Sequence, residues 1–202
     1  MMNREAEIEF THQQILKQIV GVLSKITITG NRHDDTKQIK ESLALLGDED
    51  GFCVSCNGLS LDYSKKYKFV NREWLYDVTW YREINHYTIR SLDLAAEIEW
   101  GGVRYLKNKK PDNNDPYGEV KYDFQKLVTS RANIKLMVFI ENHRESFKDL
   151  VNDYFQKQFD SFPDKHEDCF YLFCYYREKQ PHFASYFPLW NKWCISDLNN
   201  HE

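Results

Sequence analysis

Four charged residues stand where charge is expensive. Asp77 lies inside Glu73-Trp-Leu-Tyr-Asp-Val-Thr-Trp80, Glu97 and Glu99 inside Leu94-Ala-Ala-Glu-Ile-Glu-Trp100, and Lys126 inside Tyr122-Asp-Phe-Gln-Lys-Leu127. A carboxylate among apolar strand-forming residues costs free energy unless it is paired or bound to a cation. Side chains alternate across a strand, so Asp93, Ala95, Glu97 and Glu99 share one face and Leu94, Ala96, Ile98 and Trp100 the other. On the preceding strand Leu75, Asp77 and Thr79 share a side. If the two strands pair, Asp77 lies beside Glu97 and Glu99. Three clustered carboxylates cannot all remain ionised without a cation. Mg²⁺, or Mn²⁺ in its place, suits them, because it takes oxygen ligands and leaves positions for water and phosphate. Such an ion activates water and absorbs charge at phosphorus. A lysine on the next helix, Lys126, is placed to stabilise developing negative charge, with Asp123 at i−3 to hold it or to cap the helix.

These residues need elements to carry them. Thr11 with Gln14 has the spacing of a capping box, and Phe10 with Ile15 that of a hydrophobic staple, so a first helix is expected from Thr11. Ile15, Leu16, Ile19, Val20 and Leu23 form its apolar stripe. A second helix is expected over about 36–46, capped by Asp35 and ended by Gly47. Gly58–Tyr63, Glu73–Arg82 and Ser91–Trp100 read as strands, and 104–121 as a loop rich in turn residues. Tyr122–Ala132 reads as a helix. The apolar run Ile134–Ile140 reads as a strand covered on both faces. Asn142 with Glu145 opens a further helix to about Phe159. Cys169–Tyr176 is a second buried strand, and His182–Phe187 an edge strand. The expected class is α/β: a mixed sheet flanked by helices, with a three-strand antiparallel meander and a right-handed crossover to a parallel neighbour.

At 202 residues the chain is long enough for one domain with a sizeable core, here read as 1–202. No run of eighteen apolar residues occurs, and the polar N-terminus does not read as a signal peptide, so the expected location is cytoplasmic without membrane attachment. The five cysteines, an odd number among apolar runs, are expected reduced. Cys53-x-x-Cys56 lacks the second close pair that a structural zinc site needs. The net charge of −4 argues against a module that coats nucleic acid by bulk positive charge. Two lysine clusters, Lys65/Lys66/Lys68 and Lys107/Lys109/Lys110, suit either phosphate contact or solvent. The seven histidines have no ligand spacing, and no phosphate-binding glycine loop or nucleophile elbow is present.

The order acid, acid-x-acid, lysine on strand, strand and helix resembles the PD-(D/E)XK, restriction-endonuclease-like nuclease superfamily. The resemblance covers an αβββαβ core of about 11–140, followed by a C-terminal α-β extension of about 141–202. It implies that Asp77 and Glu97 bind the metal. Glu99 stands where the family's lysine usually sits, and is read as a further ligand. Lys126 then fills the migrated-lysine role found in some members, and Glu9 is a candidate extra ligand. The residue before Asp77 is Tyr76 where the family often has proline. The implied activity is Mg²⁺-dependent hydrolysis of phosphodiester bonds in DNA, with RNA the lesser alternative and a homodimer allowed. The rival expectation is a non-catalytic, nuclease-fold accessory protein that works through protein partners. The acidic composition and missing standard lysine favour it, and an exposed apolar patch around Trp190 and Trp193 would support it.

Overall fold

The computed structural model describes residues 4–56, 58–59, 75–85, 88–101, 115–141, 146–162 and 168–196, with side chains from residue 12 onward except at 85, 195 and 196. Several expectations lie outside these residues. They are the strand positions 60–63, both lysine clusters, the Glu9 side chain, and the Asn142–Glu145 capping box.

One seven-stranded sheet organises the chain, with its strands in sequence order. The strands are β1 (Cys53–Cys56), β2 (Val78–Asn85), β3 (Thr88–Glu99), β4 (Ile134–Ile140), β5 (Phe170–Arg177), β6 (Gln180–Phe187) and β7 (Lys192–Ser196). β1, β2 and β3 form an antiparallel meander. β4 joins β3 in parallel and β5 joins β4 in parallel. β6 and β7 close the sheet antiparallel. The mixed sheet flanked by helices is therefore as expected. β1, at Cys53–Cys56, is a strand that the sequence did not suggest, while the strand expected at Gly58–Tyr63 falls largely outside the described residues. Cys53-Val-Ser-Cys56 is too short to reveal a period, and its pairing with β2 stabilises it.

The helices are α1 (Arg4–Leu23), α2 (Arg32–Glu49), α3 (Gly118–Thr129) and α4, which runs as Phe147–Leu150, a π-type turn at Val151–Phe155, and Gln156–Ser161. α1 begins before Thr11, so Thr11 is helix interior and not a cap. α2 is capped by Asn31, whose side chain accepts from the His33 N–H. Asp35 instead turns back to accept from the Thr29 N–H, the Thr29 hydroxyl and the Gly30 N–H. Burial opposes its charge, but those bonds hold its carboxyl below the ordinary value. Gly47 lies within α2, not beyond it. A Cβ there would sit 2.6 Å from Trp80 Nε1, so glycine is what lets the indole lie against the helix. α4 has its capping box at Ser146 and Asp149.

Strand alternation sorts the apolar residues into two cores. On one face Leu94, Ala96, Ile98, Ile134, Leu136 and Val138 meet α1 and α2. On the other, Ala95, Met137 and Phe139 meet Phe124 and Leu127 of α3 and Phe147 and Phe155 of α4. Lys135 interrupts the apolar run of β4. It is 1% exposed and donates to the Val128 carbonyl and the Tyr171 hydroxyl. The five cysteines are free, Cys53 and Cys194 exposed and the other three buried. Among the described residues no helix is long and apolar enough to cross a membrane.

Candidate functional site

β3 ends under α3, and there the predicted residues meet. The register Val78↔Ala96 and Thr79↔Ala95 makes Asp77, one residue before β2, the next position along the ladder toward Glu97. Asp77 is thus not mid-strand, as its apolar neighbours suggested. It sits in the bend that leads into β2, where Leu75 has φ 104°. Among the described residues, the alternation expected for 74–80 starts at Val78. Tyr76 packs in the α3-side core while Val78 and Trp80 pack toward α2. The Tyr76 hydroxyl donates to the Lys126 carbonyl, which ties the bend to α3.

Glu97 points to the α3 side and is 3% exposed. Lys126 Nζ lies 2.6 Å from Glu97 Oε1 and 2.9 Å from Asp123 Oδ1. α3 runs 118–129, so Asp123 is interior and holds the lysine; it does not cap the helix. Burial pushes the Glu97 carboxyl up to about 8; Lys126 pulls it down, while Asp123 and Asp77 push it further up. Burial works against the Lys126 charge, but Glu97 and Asp123 outweigh it and raise its pKa. Glu99, half-buried on the same face, is raised by burial and by Asp123 and Glu119. The α3 side of the strand end therefore carries an excess of acid around one lysine.

Asp77 is held differently. Its Oδ1 is 2.7 Å from Lys40 Nζ, and its Oδ2 accepts from the Ile98 N–H at 2.9 Å. The Lys40 side chain is 9% exposed. α2 is fixed here by the Trp100 indole N–H, which donates to the Thr36 hydroxyl. The sequence reading passed over Lys40. A signal was present: Thr36, Lys40, Ala44 and Gly47 recur at helical spacing. Every residue of that row but the lysine is small, which marks a helix face pressed close to a neighbour.

The structure thus brings Glu97 together with Lys126, and sets Asp77 in the bend before the neighbouring strand with its own lysine. Among the described residues, no group of three His, Cys, Asp or Glu side chains is gathered closely enough to hold a metal ion. The donors that are present, carboxylate oxygens with an acidic surplus at Glu97, have the chemistry that a hard divalent cation takes. Comparison with known proteins found no matching family model, no similar curated protein and no similar solved structure.

Proposed function

We propose that this chain is a divergent, Mg²⁺-dependent nuclease of the restriction-endonuclease-like kind, acting on DNA or, as the lesser alternative, RNA. The observation that carries the reading is the buried Glu97 carboxyl 2.6 Å from the Lys126 amine, at a strand end that Asp77 also reaches. Buried acids whose protonation is displaced by specific neighbours are characteristic of functional sites. The connectivity agrees with the resemblance: helices, an antiparallel meander, a helix, then a parallel strand.

Asp77 and Glu97 would hold Mg²⁺, with Glu99 nearby on the same face. The ion would supply charge neutralisation at the phosphate and a more acidic bound water. The chain's own part is positional. Ile98 N–H fixes one oxygen of Asp77, Asp123 fixes the Lys126 amine, and the two cores keep both strands rigid. Lys126, charged across the neutral range, can orient a phosphate oxygen and stabilise negative charge as it develops. Plasmid nicking with Mg²⁺ should exceed that in EDTA, and Asp77→Ala should reduce it at least about 100-fold, as for loss of one transition-state contact. Equal background in all three overturns the reading.

A second reading, an accessory protein of the same fold without catalysis, draws on two observations. Asp77 and Glu97 are each matched by a lysine of the chain itself. Leu189 and Trp190 are each 53% exposed on the far side of the sheet, an apolar surface suited to a protein partner. It expects no cleavage under any metal.

A further inference from the structure

Polar groups converge a second time at the other end of β3, and irregular pairing brings them there. Opposite β2, Trp80 pairs with Leu94 and Tyr81 with Leu92, which leaves Asp93 out of the ladder. Arg82 pairs with Ser91 and Glu83 with Ile89, which leaves out Arg90. Each is a β-bulge, a device that re-aims a side chain. Strict alternation would set Asp93 on the face of Ala95. Leu92 and Ala95 both pack on the α3 side and Leu94 on the other, so the extra residue turns Asp93 toward α1. A regular strand would also hold the adjacent Arg90 and Ser91 on opposite faces. Here Arg90, Ser91 and Asp93 line one open cleft of about 470 Å³, together with Arg82, Asn133 and Asp168. His12 of α1 forms its remaining wall. The volume falls within the range of small-molecule sites. The cleft lies on the opposite face of the sheet from Glu97 and roughly 13 Å back along β3.

The charges in the cleft are unequally committed. Asp93, 9% exposed, accepts from the Asn133 side-chain amide at 3.2 Å and from the Ser91 hydroxyl at 2.7 Å. Arg82 Nε lies 4.0 Å from Asp93 Oδ2, an ion pair without a hydrogen bond, and the guanidinium is held 4.4 Å over the Phe52 ring. Stacking of this kind fixes a guanidinium without using its N–H donors. The Asn133 backbone ties the floor together: its N–H donates to the Leu92 carbonyl, and its carbonyl accepts from the Phe170 N–H. Asp93 and Arg82 therefore balance each other. Arg90 and Asp168 remain, both exposed and, among the described residues, neither in an ion pair. One uncommitted cation and one uncommitted anion in the same cleft complement a ligand that carries both signs. A dianion would meet the two carboxylates, and a dication the two guanidinium groups, at like charge. We propose that this cleft binds a small zwitterion of the α-amino-acid kind, its carboxylate taken by Arg90 with the N–H donors of Arg82 and its ammonium by Asp168. The guanidinium fork matches a carboxylate in shape as well as charge. This site stands apart from the metal-dependent reading and does not rest on it.

The test is saturation-transfer NMR on the full chain, with the common α-amino acids as probes in turn. At least one should bind. The same compound without its amino group, and the amine without its carboxylate, should each bind at least about tenfold more weakly, as for loss of one charge-assisted contact. Arg90→Gln and Asp168→Asn are exposed substitutions that leave Asp93 and its partners in place. Each should weaken binding by about the same factor. Lys148→Gln, exposed on α4 across the sheet, should bind as the unaltered chain does. Transfer to no α-amino acid overturns the inference. So does a simple carboxylic acid or inorganic phosphate that binds as tightly as the amino acid, because the cleft would then recognise an anion alone. Binding that survives both cleft substitutions lies elsewhere on the molecule and overturns it as well.

Discussion

Glu97 is the residue on which the proposed chemistry turns, and its protonation makes it testable apart from any activity. In the unfolded chain its carboxyl has an ordinary value of 4.5; in the fold, burial and the neighbouring acids push it up to about 8. The folded state then binds the proton more tightly than the unfolded state throughout that window. Linkage requires this group's contribution to stability to be present below about pH 4.5 and to be lost as pH rises through about 8. Glu97→Gln cannot titrate and keeps the shape. Its melting temperature should draw ahead of the unaltered protein's as pH climbs from about 5 to 8, by the equivalent of about 1–3 kcal/mol at the upper end. Parallel melting curves across that range would mean that Glu97 remains ionised in the fold. Lys126 keeps Asp123 as a partner in this variant, so the substitution does not strand a buried amine.

At the scale of elements, the approach of α2 to the sheet decides whether the Lys40 amine reaches Asp77. The approach is close because Trp80 of β2 lies against the backbone at Gly47. Gly47→Ala places a methyl about where the indole ring already is. The wholly buried Trp80 has little room to retreat, so either helix or strand must shift. The expected cost is about 1–3 kcal/mol, a typical overpacking penalty, readable as a lowered urea midpoint with an unchanged slope. An unchanged midpoint would show that the contact is loose. The same pair explains why Gly47 misled the reading of α2: glycine commonly follows a helix's last turn, and here it serves close packing instead. Asp35 misled in a related way. Its spacing suits a cap, yet the tight Thr29–Gly30 loop offered three donors, and the carboxylate took those.

For the molecule as a whole, the sheet's two faces are covered by different helices and its far edge is closed by β7. Trp193 of β7 is the hold on that edge. Its indole N–H donates to Gln156 Oε1 and its ring lies 5.0 Å from Tyr186 and 5.4 Å from Phe173. Trp193→Ala should cost about 2–4 kcal/mol, somewhat below the usual penalty for a fully buried tryptophan because Trp193 is only half-buried. The loss should be seen in thermal unfolding without any change in divalent-ion binding, since Trp193 stands three strands beyond β4. A coupled change in both would mean that the two ends of the sheet communicate. β7 itself was not legible beforehand: Lys-Trp-Cys-Ile-Ser is short, and pairing with β6 supplies what local pattern does not.

The amino-acid order by itself determined the α/β class, the strand at Ile134–Ile140, the alternation that puts Glu97 and Leu94 on opposite faces, and the helix bearing Lys126. These follow from period and composition within a few residues, so no distant contact was needed to read them. Only the folded chain decided that β1 falls at Cys53–Cys56, that Asp77 enters from a bend, and that Lys40 arrives from α2 to meet it. Each of these depends on residues far apart in sequence coming within a few ångströms, as the Lys40–Asp77 contact does across 37 positions of chain. A lysine on a helix looks the same in sequence whether water or a carboxylate awaits it. Burial against a particular partner, which no local pattern encodes, tells the two apart.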